Sequence, residues 1–126
     1  MKARTSLIVV AVLAAVLLVV WGTSRSSVPA VDPLTADRLV ATADQWCEQF
    51  PEQDIPSENW SEEVRQLRPH SVRVTPDGVY IERGSFIVEE WGVFIHRTGS
   101  TLRPSAGTDP SFRPLQGRIY WYEIKG

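Results

Sequence analysis

The chain is short of the residues that most often carry chemistry. Cys47 is its one cysteine in 126 residues. A lone thiol excludes an internal disulfide framework and a multi-cysteine zinc site. The histidines number two, His70 and His96. No spacing gathers three or four metal ligands around either one, so no metal is expected. No phosphate loop, dinucleotide glycine pattern or Gly-x-Ser-x-Gly elbow is present, and no cofactor is expected. Positive charge is also modest: 13 Lys and Arg stand against 15 Asp and Glu, a formal net charge of −2. No basic stripe carries interleaved aromatics, so nucleic acid is not an expected partner. The adjacent carboxylates Glu89 and Glu90 fall on opposite faces of a strand. They do not converge on one glycosidic bond. One of them is expected to pair with an arginine, and no catalytic residue is assigned.

Charge is missing altogether from one stretch. Between Arg4 and Arg25 lie 20 uncharged residues, Thr5 to Ser24, and Leu7 to Trp21 is wholly apolar. As a helix, 20 residues span about 30 Å, the thickness of a bilayer core. Lys2 and Arg4 precede the run, and the positive-inside bias places the N-terminus in the cytoplasm. The expected organisation is a cytoplasmic tail (1–4), a transmembrane signal-anchor (5–24), a linker (25–31) and an extracytoplasmic domain (32–126). In a bacterium this is an inner-membrane protein with a periplasmic domain. The rival reading is a cleaved leader, with Val28-Pro29-Ala30 as a small-residue cleavage site. The glycine cleavage site and nearby glutamate of type IV prepilins are absent. No cysteine follows the run to carry a lipoprotein anchor.

The domain opens with helical patterning. Asp32-Pro33 supplies an N-cap and a first helical proline. Apolar residues then recur at Ala36, Leu39, Val40, Ala43, Trp46, Cys47 and Phe50, an amphipathic spacing that Pro51 ends. Cys47 lies on the apolar face and reads as a small core residue. Its sequence neighbours Asp44 and Glu48 do not favour a thiolate. A second helix is expected over Ser57–Leu67, with Trp60, Val64 and Leu67 on one face and Ser57 or Ser61 as cap. Nine acids and one base, Arg38, fall between Asp32 and Glu63. This acidic block reads as the solvated side of the helices.

The stretch from Ser71 to Arg97 is organised as strands. Val72 and Val74 alternate with polar residues, and Pro76-Asp77-Gly78 is a turn. Val79 and Ile81 continue the alternation. Arg83-Gly84-Ser85 is expected to turn next, with Phe86 and Val88 on a buried face and a bulge near Glu89–Gly92. The segment Arg118–Ile124 is a last, aromatic-rich strand. Thr98–Gly117 reads as a long loop bearing Arg103 and Arg113 and flanked by Arg97 and Arg118. Loops of this length are uncommon without a role.

The expected fold is α+β: an N-terminal transmembrane helix, then two helices packed on an antiparallel sheet of about four or five strands. The expected function is non-enzymatic. A membrane-anchored envelope protein would bind another envelope protein through Arg103, Arg113, Trp91 and Tyr120. The alternatives are a small periplasmic hydrolase or, with a cleaved leader, an immunity-type inhibitor.

Overall fold

The computed structural model describes residues 28–126. The tail, the expected membrane segment and the first part of the linker lie outside these residues. Among the described residues no helix is long and apolar enough to cross a membrane. The domain is α+β, with a five-stranded antiparallel sheet. In chain order the elements are helix α1 (Pro33–Gln49), a 3-10 turn (Ser57–Asn59), helix α2 (Glu62–Gln66), and strands β1 (Ser71–Thr75), β2 (Gly78–Phe86), β3 (Glu89–His96), β4 (Ser111–Gln116) and β5 (Ile119–Ile124).

Helix α1 begins where the sequence places it. The Asp32 carboxylate accepts from the Thr35 amide at 2.8 Å, satisfying one orphan donor of the first turn. Those Thr35 hydrogen bonds hold the Asp32 carboxyl below its ordinary value. Ala36, Leu39, Ala43, Trp46 and Cys47 form the buried stripe. They meet Val72, Val74, Val79, Ile81, Val93, Ile95, Ile119 and Trp121 from one face of the sheet. This cluster is the main core, and burial of its apolar area is the principal stabilising term.

The second helix is shorter than the spacing predicts. Ser57–Asn59 is a 3-10 turn, Trp60 and Ser61 are extended, and only Glu62–Gln66 is α-helical. The Ser61 hydroxyl caps it by accepting from Val64 N. Trp60 breaks the helix because its indole N–H donates to Ile55 O at 2.9 Å, fixing the ring against the preceding loop.

Three strand expectations are corrected. First, Arg83-Gly84-Ser85 is not a turn: β2 runs through it to Phe86, and the chain reverses at Ile87-Val88. Gly84 serves close packing instead, since a Cβ there would lie 2.5 Å from the Trp91 ring. Second, the bulge falls between Glu82 and Gly84 on β2, while β3 is continuous through Glu89–Gly92. Third, Phe86 and Val88 are not on a buried face. They stand 51% and 65% exposed.

The sheet order is β1-β2-β3-β5-β4. Strands β3 and β4 both run antiparallel to β5, so they point the same way. The chain must therefore return the length of the sheet between them. Residues 98–110 make that return across the face away from the helices. There Leu102 packs on Tyr80, Phe94, Phe112 and Tyr122, a second small core. The long loop expected over Thr98–Gly117 is thus a crossing segment followed by a strand. Proline 114 is compatible with β4 because β4 is an edge strand.

Candidate functional site

A polar cluster is embedded in the second, aromatic face. Arg73 on β1 reaches Glu90 on β3 with two parallel hydrogen bonds, Nη1 to Oε1 at 3.1 Å and Nη2 to Oε2 at 2.8 Å. The Tyr122 hydroxyl on β5 donates to the same carboxylate at 2.6 Å. The Arg73 guanidinium also lies over the Tyr80 ring, 4.7 Å from its centre. One carboxylate thus ties three strands together. Burial pushes the Glu90 carboxyl up, but bonds from Arg73 and Tyr122 and the Arg73 charge outweigh it and hold it below the ordinary value. Burial and then the bonded Glu90 carboxylate drive the Tyr122 phenol far up, so it stays a donor. Burial lowers Arg73, and the Glu90 hydrogen bond and charge reverse that and leave it raised. The expectation that one of Glu89 and Glu90 pairs with an arginine is met by Glu90. The groups in this cluster are directed at one another, an arrangement that braces the sheet.

The crossing segment is pinned along its length. Arg97 N donates to Asp77 O at 2.8 Å, and the Ser100 hydroxyl donates to Asp77 Oδ1 at 2.7 Å. Leu102 N donates back to Ser100 Oγ at 3.0 Å. Further on, Phe112 N donates to Ser105 O, and Lys125 N donates to Asp109 Oδ1. Between these pins Arg103 is exposed, and Arg113 is exposed on β4 opposite Trp121. Neither has an ion-pair partner among the described residues. Other arginines do, among them Arg73 with Glu90, Arg118 with Asp44 at 2.6 Å, and Arg38 with Glu63 at 3.5 Å.

Trp91 and Tyr120 are not brought together. Trp91 packs against the main core on the helix face, and Tyr120 packs against the second core on the other. Tyr120 contacts Phe94, His96 and Phe112 in tilted or edge-on ring geometry, with centroids 6.2–6.4 Å apart. Each is half-buried packing. Tyr122, on the same side of β5, is fully buried rather than part of an open aromatic surface. The sequence could not show this, because the covering residue, Leu102, stands alone in a segment with no apolar period.

Cys47 is buried and its thiol is free. It borders a hollow of about 260 Å³ lined also by Asp44, Glu48, Arg97 and Thr98. Burial pushes the thiol up and the Asp44 charge adds to that; Arg97 and Arg118 pull the other way without overcoming it. The two arginines reach the helix from the sheet, and sequence spacing gives no sign of them. The thiol is therefore protonated and poorly nucleophilic near neutrality. His96 Nε2 is buried with no hydrogen-bond partner among the described residues. Among those residues no cluster of His, Cys, Asp and Glu has the make-up of a metal site.

Comparison with protein-family models, with curated proteins and with solved structures gives no match.

Proposed function

We propose that the chain is a single-pass, membrane-anchored envelope protein whose outer domain works by binding another envelope protein. Residues 5–24 hold it in the bacterial inner membrane, with the N-terminus cytoplasmic and residues 32–126 periplasmic. The observation that carries this reading is the placement of two arginines. Arg103 and Arg113 are exposed, without an ion-pair partner among the described residues, on a pinned crossing segment and the adjoining edge strand. A guanidinium fork matches carboxylates bidentately. Presenting it on an ordered backbone reduces the entropy lost on binding. The partner is accordingly an acidic protein surface at the rim formed by β4 and the crossing segment.

The test is capture from membranes at low and high salt with the wild-type chain and an Arg103→Ala, Arg113→Ala double variant. Wild-type capture should fall with salt because exposed charge pairs are screened. The double variant should capture poorly at both salt levels and still fold, because exposed charges contribute little to stability. Equal capture in all four conditions contradicts the reading.

A further inference from the structure

The tip of the β2–β3 hairpin is largely uncovered, with Val88 lying against the C-terminal Gly126. It overshoots β1, whose pairing stops at Glu82, by the four residues Arg83–Phe86. At its end Ile87 is 88% exposed and Val88 65% exposed, with Phe86 half exposed beside them. Ile87 also has φ of 57°, in the left-handed region. A β-branched side chain there is strained, and turns of this kind ordinarily use glycine or asparagine. The chain thus accepts backbone strain to hold an isoleucine in the open. Local strain of this sort is characteristic of residues kept for contact rather than for folding.

The shaft beneath the tip is rigid. The Arg83 side chain donates to Leu67 O at 2.7 Å, and the Trp91 indole lies over Gly84. The shaft therefore presents the tip in a fixed direction.

Contacts along α1 show which end of the domain the linker enters. Its later turns lie at the Arg97 end of the sheet, where Asp44 holds Arg118 and Cys47 shares a hollow with Arg97. Its second turn lies beside α2, through Arg38 and Glu63. Helix α2 leads into the start of β1, which pairs with Glu82 at the base of the hairpin. Helix α1 therefore runs away from the tip. Its N-terminus, the end from which the chain continues back to the uncharged run Thr5–Ser24, lies toward the end of the sheet from which the tip projects.

We propose that the hairpin tip, led by Ile87 and Val88, inserts into the lipid interface of the membrane that carries the chain, and so holds the domain tip-down on the bilayer. The inference rests on the membrane anchoring proposed above. A short apolar tip is suited to the boundary between headgroups and acyl chains and too short to span the core. An anchor on the same end of the domain keeps the tip within reach of that boundary, so weak insertion is sufficient.

The test uses the full chain, with Cys47→Ala, in vesicles of phosphatidylethanolamine and phosphatidylglycerol that contain no other protein. Single cysteines at Leu13, Ile87 or Gln49 carry an environment-sensitive fluorophore, and nitroxide lipids act as quenchers. Gln49 is exposed at the opposite end of α1. The proposal expects quenching at residues 13 and 87, strongest at 87 with shallow nitroxides, and none at 49. In the same vesicles, Ile87→Asn with the fluorophore at Val88 should lose most of the quenching that the Ile87 parent shows at that position. Quenching at 13 without quenching at 87 overturns the tip insertion and leaves the anchor standing. No quenching at 13 overturns the anchoring itself. A probe at 87 that is shielded only in native membranes, and not in pure lipid, assigns the tip to a protein and also overturns the proposal.

Discussion

Replacing Glu90 by alanine should be among the most damaging changes that spare the apolar core. The carboxylate receives two hydrogen bonds from Arg73 and one from Tyr122. Its side chain is 20% exposed and that of Arg73 is 31% exposed, so solvent screens the pair only in part. Loss of charge-assisted bonds costs about 1.5–3 kcal/mol, and a buried hydroxyl left without an acceptor costs about 1–3 kcal/mol. Allowing for the partial exposure, Glu90→Ala should cost about 3 kcal/mol. Tyr122→Phe keeps the ring and loses one bond, about 1–2 kcal/mol. Once Glu90 is gone, the Tyr122 hydroxyl has nothing to donate to, so Tyr122→Phe should then cost nothing and recover part of the penalty of the unsatisfied hydroxyl. The two changes should therefore be coupled by at least about 1–2 kcal/mol. Urea unfolding of the full chain in mild detergent, followed by far-ultraviolet circular dichroism, measures the cycle. A domain of this size shifts its Tm by about 4–8 °C per kcal/mol, which gives a second readout. The same carboxylate sets an acid limit. Its folded value lies below the ordinary 4.5, so its contribution is complete above 4.5 and is lost as pH falls through the folded value. Glu90→Gln should be less stable at neutral pH and should lose less on acidification. Additive effects within about 0.3 kcal/mol would refute the shared-carboxylate geometry.

Trp46→Ala should cost about 3–5 kcal/mol in the same unfolding assay, because the ring is 5% exposed within the main core; under about 1 kcal/mol contradicts that packing. Cys47 should resist thiol-specific reagents in the folded chain and react fast in denaturant. Its native rate should still be climbing at pH 9.0, where an ordinary thiol begins to level off, because burial raises it; fast labelling at neutral pH contradicts the buried assignment. Ile87→Gly should stabilise the fold modestly. Relief of about 1–2 kcal/mol of left-handed strain exceeds the roughly 0.5–1 kcal/mol that glycine costs in chain entropy. A loss of stability on that change contradicts the strained turn.

Much of the domain was legible because local signals and tertiary packing agree. Asp32-Pro33 and the Leu39–Trp46 period specify α1 without help from the rest of the chain. Val72, Val74, Val79 and Ile81 lie on one face of a hairpin, as strict alternation requires. The failures share a cause, which is that one residue type serves two purposes. Gly84 reads as a turn residue but makes room for Trp91. Ile87 and Val88 read as strand residues but form the turn. Proline 114 reads as loop and sits in an edge strand. The site was less legible still. Arg73, Glu90 and Tyr122 are 17 and 32 residues apart along the chain and meet only through sheet order. The direction of β4 explains why the crossing segment covers a face of the sheet, and no periodicity encodes that direction.

The proposed partner of the outer domain is an acidic envelope protein bound at the rim formed by the crossing segment and β4. Site-specific photocrosslinking in living cells tests it most directly. A photoreactive amino acid at Ser105 or at Gln116 leaves both Arg103 and Arg113 in place, and the same residue at Glu58 samples an exposed position outside the rim. One shared adduct is expected from positions 105 and 116, none from 58, and that adduct should be lost when Arg103 and Arg113 are both alanine. Adducts that form equally from all three positions, or that persist without the two arginines, would contradict the proposed binding.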